Sequence, residues 1–284
     1  MPEQNVVVWD LETIPDLRAA ARMLNMAHAA DEEVRAALGP GFPKHPLHKI
    51  ACIGALVAER QPAGWEVRAL GAPHIGQRTE AELIRSFIDR IGELRPQLIT
   101  FNGHGFDLPV LRYRAMVNRV SGLGVQVRPY FHRYAEDALD LCDVFGSYSP
   151  GAKTKLDEIC KIIGLPGKPS GVDGSEVEAM VQAGRIDEVA QYCESDVLNT
   201  YRLWLVYELF RGTITAEQLA FSETQAAEFV RTRKSDNPHL VTTVGTTSDT
   251  ADQQPGCQTG RPLSLPQIFD DLGIIGIRSR FPGD

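Results

Sequence analysis

Three short segments carry side chains whose types and spacing could do chemistry. In Val8-Trp9-Asp10-Leu11-Glu12-Thr13, Asp10 and Glu12 stand two apart in an otherwise apolar run. Residues two apart on a strand face the same side, so these carboxylates would repel each other unless a cation lay between them. A strand with one wet face would also account for the pair. In Thr100-Phe101-Asn102-Gly103-His104-Gly105-Phe106-Asp107-Leu108-Pro109, Asp107 follows a strand and a glycine-containing turn. A helix start, with Asp as cap and Pro in the first turn, explains this segment when it is taken alone. The mouth of the sheet is also the usual place for a site in open α/β folds. In Tyr192-Cys193-Glu194-Ser195-Asp196 the Tyr and the Asp are four apart, hence on one helical face, as an ordinary exposed pair would be.

The elements that must position these groups follow from the hydrophobic pattern. Val6 to Glu12 reads as a buried strand, and Ile50 to Glu59 with Trp65 to Leu70 as a hairpin around Gln61-Pro62-Ala63-Gly64. Gln97 to Phe101 and Ala138 to Val144 complete five strands. Thr79 to Leu94 has Leu83, Ile84, Phe87, Ile88 and Ile91 at helical spacing behind a Thr79-x-x-Glu82 capping box. Further helices are predicted at Asp31 to Leu38, Asp107 to Val117, Thr154 to Ile163, Ser175 to Ala183, Ile186 to Phe210 and Ala216 to Arg231. Strands and a hairpin followed by alternating helices and strands imply a mixed α/β sheet with helices packed on it.

The 284 residues suffice for one sizeable domain and some extra chain. A domain over residues 1–233 is expected, followed over 234–284 by a flexible linker and a short C-terminal apolar segment. Thr242 to Gly260 is rich in Thr, Gly, Gln and Asp, and Leu263 to Phe281 is apolar again. No run approaches a membrane span, no leader is legible before Val6, and five cysteines without a C-x-x-C pair suit reduced thiols. A cytoplasmic protein with no membrane partner is expected. The net charge of −8 argues against a protein that coats duplex phosphates. It suits an enzyme that grips a short end where metal ions supply the positive charge.

Taken together, the three segments come in a characteristic order. Trp9-Asp10-Leu11-Glu12-Thr13-Ile14-Pro15-Asp16, Phe101-Asn102-Gly103-x-x-Phe106-Asp107-x-Pro109 and Tyr192-Cys193-Glu194-x-Asp196-Val197-x-Asn199-Thr200 resemble the DEDD superfamily of 3′→5′ exonucleases. The Tyr points to the Tyr-containing branch, and the wording to predicted exonucleases related to the proofreading domain of family B polymerases. The resemblance covers residues 5 to about 212. It implies an RNase H-like (DnaQ-like exonuclease) mixed five-stranded sheet flanked by helices. It implies two divalent ions, Mg²⁺ or Mn²⁺, about 3.5–4 Å apart, since hard carboxylate oxygens suit both metals. Asp10, Glu12, Asp107 and Asp196 would hold them, with Asp10 bridging and Tyr192 orienting the attacking water. Leu11 and Thr13 would meet the terminal nucleotide, and Asn102 and Phe106 the penultimate one. A core position would equally suit Phe106.

The activity implied is removal of nucleotides from a single-stranded 3′ end, with DNA favoured and a role in DNA repair. The alternatives are an exoribonuclease or oligoribonuclease and, from another class, a non-catalytic nucleic-acid-binding or scaffold module. Other signals are weaker. His45, His48 and His104 lack zinc spacing. Asp137, Asp140 and Asp143 would alternate faces on a strand. Gly164 to Lys168 is no phosphate loop, though Lys168 could meet a phosphate. Leu263-Ser264-Leu265-Pro266 resembles the core of peptides that bind sliding clamps, with Pro262 where their leading Gln stands. A C-terminal helix docked on its own domain is the competing reading of that segment.

Overall fold

Asn5–Pro15 forms the central strand β1 because its side chains are apolar on both faces. Val6 and Val8 face one hydrophobic layer, and Val7, Trp9 and Leu11 the other, all at most 4% exposed. Such a run, buried on both sides, reads as continuous rather than alternating hydrophobicity. The computed structural model describes residues 4–167, 174–232 and 239–240. The chain divides into two compact units, Met1–Gly245 and Thr246–Asp284. The linker, the clamp-like segment and Lys168 lie outside the described residues.

Beside β1 lie β2 (His48–Gln61), β3 (Gly64–Gly71), β4 (Gln97–Thr100) and β5 (Ala138–Asp140), in the order β3-β2-β1-β4-β5. The first three are antiparallel neighbours, and β4 and β5 run parallel to β1. This is the RNase H-like sheet expected. The hairpin turn falls where Gly64 takes φ 147°, a conformation reserved for glycine. A register shift between Glu12 and Thr13 interrupts the β1–β2 ladder beside the acidic pair, and such irregularities re-aim side chains.

Helices cover both faces. On the Val7–Trp9–Leu11 side pack α3 (Glu80–Leu94), entered through the Thr79–Glu82 capping box, and α4 (Asp107–Val117). On the Val6–Val8 side pack α8 (Ile186–Arg211) and α9 (Ala216–Thr232). A buried ion cluster ties one layer together. Arg114, 3% exposed, forks onto Glu80 and reaches Asp16 at 2.6 Å. Because Asp16 caps the short helix α1 (Leu17–Met23) just past β1, Arg114 links that strand's end to α3 and α4.

Two readings of the sequence need amendment. Ala138 to Val144 is not one strand: β5 stops at Asp140 and α5 (Leu141–Phe145) begins. The cause is local, since the Asp140 carboxylate accepts from the amides of Cys142 and Asp143 and so caps a helix. Asp143 therefore lies on a helix and not on the strand that carries Asp140. The other is α1, for which the sequence pattern between Pro15 and His48 predicts no helix, only the one at Asp31 to Leu38. The predicted helix at Asp31 to Leu38 is α2 (Asp31–Leu38), and α6 (Leu156–Ile162) and α7 (Val177–Gln182) occupy the cores of two more predicted segments. No helix among the described residues is long and apolar enough to cross a membrane.

Candidate active site

Asp10 and Glu12 project from β1 on the side of α8. Their carboxylate oxygens and the Cys193 sulfur lie within 4.8 Å of one another. Cys193 approaches both Asp10 Oδ2 (3.8 Å) and the Asp10 carbonyl oxygen (3.7 Å). The close approach of α8 depends on Gly54, the β2 residue paired with Asp10. A Cβ there would stand 2.6 Å from Cys193 Sγ and 3.0 Å from Val197 Cγ2. Glycine at that position is what lets the helix reach the strand.

Asp107 arrives from the other side. The Phe101–Phe106 segment turns tightly, with Gly105 N–H donating to the Asn102 carbonyl and Leu108 N–H to that of Gly103. Asn102 takes φ 71° at the head of this turn. Asp107 is the first residue of α4, and its Oδ1 accepts the Leu11 N–H at 3.1 Å. The side chain thus faces β1, between the positions of Asp10 and Glu12. Burial raises the Asp107 carboxyl well above its ordinary value, and the charge of Asp10 raises it further.

Tyr192 and Asp196 share one face of α8, where Tyr192 is 6% and Asp196 7% exposed. Burial pushes the Tyr192 hydroxyl far up, with the charges of Asp196, Glu12 and Asp10 adding to it and a hydrogen bond to Asp196 holding it in place. That phenol stays protonated at any working pH. Glu194, in the same segment, pairs instead with His239 Nε2 at 2.7 Å. Of the two acids in this segment, only Asp196 lies beside Tyr192.

All five expected chemical groups, Asp10, Glu12, Asp107, Tyr192 and Asp196, are thereby drawn together from β1, α4 and α8. The cluster suits hard divalent cations. Four carboxylates crowd one place, and one of them has its proton affinity raised by another. Cys193 does not fit as a ligand, because the hydrogen bond with Cys52 and then burial hold its thiol protonated.

The expected nucleotide contacts fall into two places. Leu11 is buried, while its amide faces Asp107. Thr13 meets His48: Nε2 of that ring is 2.9 Å from the Pro43 carbonyl, and Nδ1 is 2.8 Å from Thr13 Oγ1. A carbonyl only accepts, so Nε2 carries the proton and the Thr13 hydroxyl donates to Nδ1. Burial holds His48 below the ordinary histidine range, which keeps this neutral form. Phe106 is half-buried against His48, Phe42 and His45, with ring centroids 4.9, 5.4 and 5.8 Å away. It is both a packing residue and part of an aromatic face that continues to Phe42, 76% exposed. Asn102 stands apart, its side-chain oxygen accepting from the Lys153 ammonium. Phe42 and Lys153 carry no signal in the sequence, since neither lies at an informative spacing from the acidic motifs. His48 and Cys193 stand in segments already singled out, but nothing in those patterns shows the contacts that they make.

The family described as predicted 3′-5′ exonuclease related to the exonuclease domain of PolB matches residues 40–244. Asp107, Tyr192 and Asp196 fall inside that span, and Asp10 and Glu12 before it. The chain is 18% identical to the family B DNA polymerase of the hyperthermophilic archaeon Pyrobaculum calidifontis. That likeness covers 86% of this chain and 28% of the polymerase, with a TM-score of 0.45. It is 16% identical to E. coli exonuclease I in complex with a dA16 oligonucleotide, covering 70% of this chain and 44% of that one, with a TM-score of 0.32. The chain thus spans less than half the length of either protein. No curated protein matches it.

Proposed function

Since the chain belongs to the predicted 3′-5′ exonucleases related to the exonuclease domain of PolB, we propose that it removes nucleotides one at a time from the 3′ end of single-stranded nucleic acid. DNA is the preferred substrate, and the reaction requires two divalent ions, Mg²⁺ or Mn²⁺. The observation that carries this reading is the convergence of Asp10, Glu12, Asp107 and Asp196 with a protonated Tyr192 at the meeting of β1, α4 and α8.

Asp10, Glu12, Asp107 and Asp196 would hold the two ions, with Tyr192 beside Asp196, Glu12 and Asp10. When bound, the ions would lower the pKa of the attacking water and stabilise the charge developing on the leaving oxygen. The remaining work belongs to side chains. Asp107 accepts the Leu11 amide, which holds α4 against β1. Tyr192 donates to Asp196, leaving its oxygen lone pairs to orient a water molecule. With its proton held so firmly, Tyr192 positions that water and does not deprotonate it. Thr13 spends its only proton on His48, so its oxygen can only accept, and a sugar hydroxyl is a matching donor. Phe106 and the rings around it offer a stacking face to bases that have been splayed apart.

The test is digestion of a 5′-labelled single-stranded oligonucleotide, as DNA and as RNA, with Mg²⁺, with Mn²⁺ and with chelator. The intact protein is run beside Asp10→Ala and Asp196→Ala. A metal-dependent ladder shortening from the 3′ end, absent from both variants, is expected, with DNA cut faster. Faster digestion of RNA would move the assignment to an exoribonuclease. No digestion of either strand by folded protein would leave a nucleic-acid-binding module as the better reading.

A further inference from the structure

Across the β4–α4 turn from Asp107, cationic and aromatic side chains collect around one carboxylate that the chemistry above does not use. Asp143 has no exposed side-chain surface. Arg133 forks onto it with two bonds of 2.7 Å, and the Lys153 ammonium lies 3.7 Å away. Lys153 also donates to the side chain of Asn102, the residue that heads the turn leading to Asp107. The Tyr148 amide donates to the Asp143 carbonyl at 2.7 Å, and the Tyr148 ring stands 5.1 Å from that of Tyr134. Asp140 anchors the other side by accepting the amides of Asn102 (2.7 Å) and His104 (2.9 Å).

Two of these features are unusual for a surface with only structural duties. Tyr134 is 68% and Tyr148 39% exposed, so a pair of large rings stands together in solvent. Scattered exposed aromatics need no explanation, but these two are neighbours. Ser147 and Tyr148 take successive left-handed conformations, φ 48° and 59°. Side chains other than glycine adopt that region at a cost, which persists where the surroundings impose it. Here the Asp143 carbonyl and the Gly146 carbonyl, which accepts from Ser149, hold the loop in place.

We propose that Lys153, Arg133, Tyr148 and Tyr134 form a binding subsite for the single strand upstream of the nucleotide being removed. The strip begins at Asn102, on the same turn as Asp107, and leads away from the carboxylates. Its cations meet phosphates, and its rings stack on bases of any sequence, since every base presents a π face. Charge supports a nucleic-acid occupant. In a chain of net charge −8, Lys153 and Arg133 are cations whose local partner, Asp143, is buried beneath them, leaving their outer surface basic. The proposal rests on the reading of the carboxylates as a nuclease centre, but its test is one of binding and reports independently of turnover.

Affinity is measured by fluorescence anisotropy for 5′-labelled dT2 and dT10 in chelator, with the intact protein and with Tyr134→Ala/Tyr148→Ala. The intact protein should bind dT10 more tightly than dT2. The double variant should lose at least about 5-fold in affinity for dT10, the lower end for removing one stacking ring, with dT2 unchanged. Tyr134→Phe/Tyr148→Phe, which keeps both rings, should restore dT10 binding. Lys153→Ala should flatten the dependence of log Kd on log salt by about 0.7. Thermal melts check folding, and Tyr134→Ala alone serves if the double variant is unstable. Equal affinity of the intact protein for dT2 and dT10, or of the folded alanine variant and the intact protein for dT10, would overturn the subsite. Loss of digestion by the intact protein with length-dependent binding retained would instead sink the nuclease reading and leave the subsite standing.

Discussion

Tyr192 shows how much a single environment decides. A phenol in water loses its proton near pH 10, but burial and three carboxylates make that loss harder here. In the proposed reaction the hydroxyl would orient water throughout the working range without acting as a base. Tyr192→Phe should lower kcat about 100-fold, the cost of a modest misplacement of reacting atoms, while KM for a short oligonucleotide stays within a factor of a few. Single-turnover digestion of dT5 measures this, and an unchanged kcat would remove Tyr192 from the chemistry. Asp143 illustrates the opposite shift. The Arg133 fork holds its carboxyl below the ordinary value. A depressed folded-state pKa stabilises above the unfolded value and is lost as pH falls through the folded one. Asp143→Asn should therefore lower Tm at pH 7, and the gap to the intact protein should close as pH falls from about 5 to about 2. Thermal melts across that range would show it, and a gap independent of pH would show that the pair contributes through packing alone.

Among the elements, the seam between the paired strands β1 and β2 and α8 is the one on which the candidate site depends. Gly54 leaves space for Cys193, and an added Cβ would come within 2.6 Å of its sulfur. Gly54→Ala should cost about 1–3 kcal/mol, as overpacking of a filled interior does. It should also lower activity by lifting Asp196 away from Asp10. Cys193→Ala added to Gly54→Ala should recover part of the stability, a coupling that urea unfolding in a double-mutant cycle reads directly. Purely additive effects would mean that the two residues do not press on each other. The same seam shows what the sequence reveals. Asp10 and Glu12 were legible because strand periodicity sets two carboxylates on one side, and Tyr192 with Asp196 because a helix brings every fourth residue round. The capping box at Thr79 and Glu82 marked the start of α3 without ambiguity. Gly54 carried no signal, since its role arises only when a residue far along the chain packs against it. β5 was over-extended for a related reason: Ala138 to Val144 is apolar enough for a strand, and only the cap made by Asp140 turns it into α5. The Thr13–His48–Phe106 contacts were equally invisible, because a hydrogen bond and ring contacts join residues from separate segments.

At the level of the molecule, every group named in the chemistry lies within the compact unit Met1–Gly245. We expect that a chain ending at residue 245 keeps metal-dependent digestion of a 12-nucleotide strand within about threefold of the full chain, since binding and chemistry both reside in that unit. Loss of activity with the fold intact, judged by circular dichroism, would assign the remaining residues a part in catalysis. Asp10 and Asp196 meet in space, but 185 residues lie between them in the chain. Contacts so distant in sequence form late, because a long loop must close before they gain anything. During synthesis β1 leaves the ribosome before α8 and can pair with β2 and β4 while that helix has yet to appear. Only when that helix docks does the fourth carboxylate arrive, so a growing chain carries most of a sheet before it carries a complete carboxylate cluster.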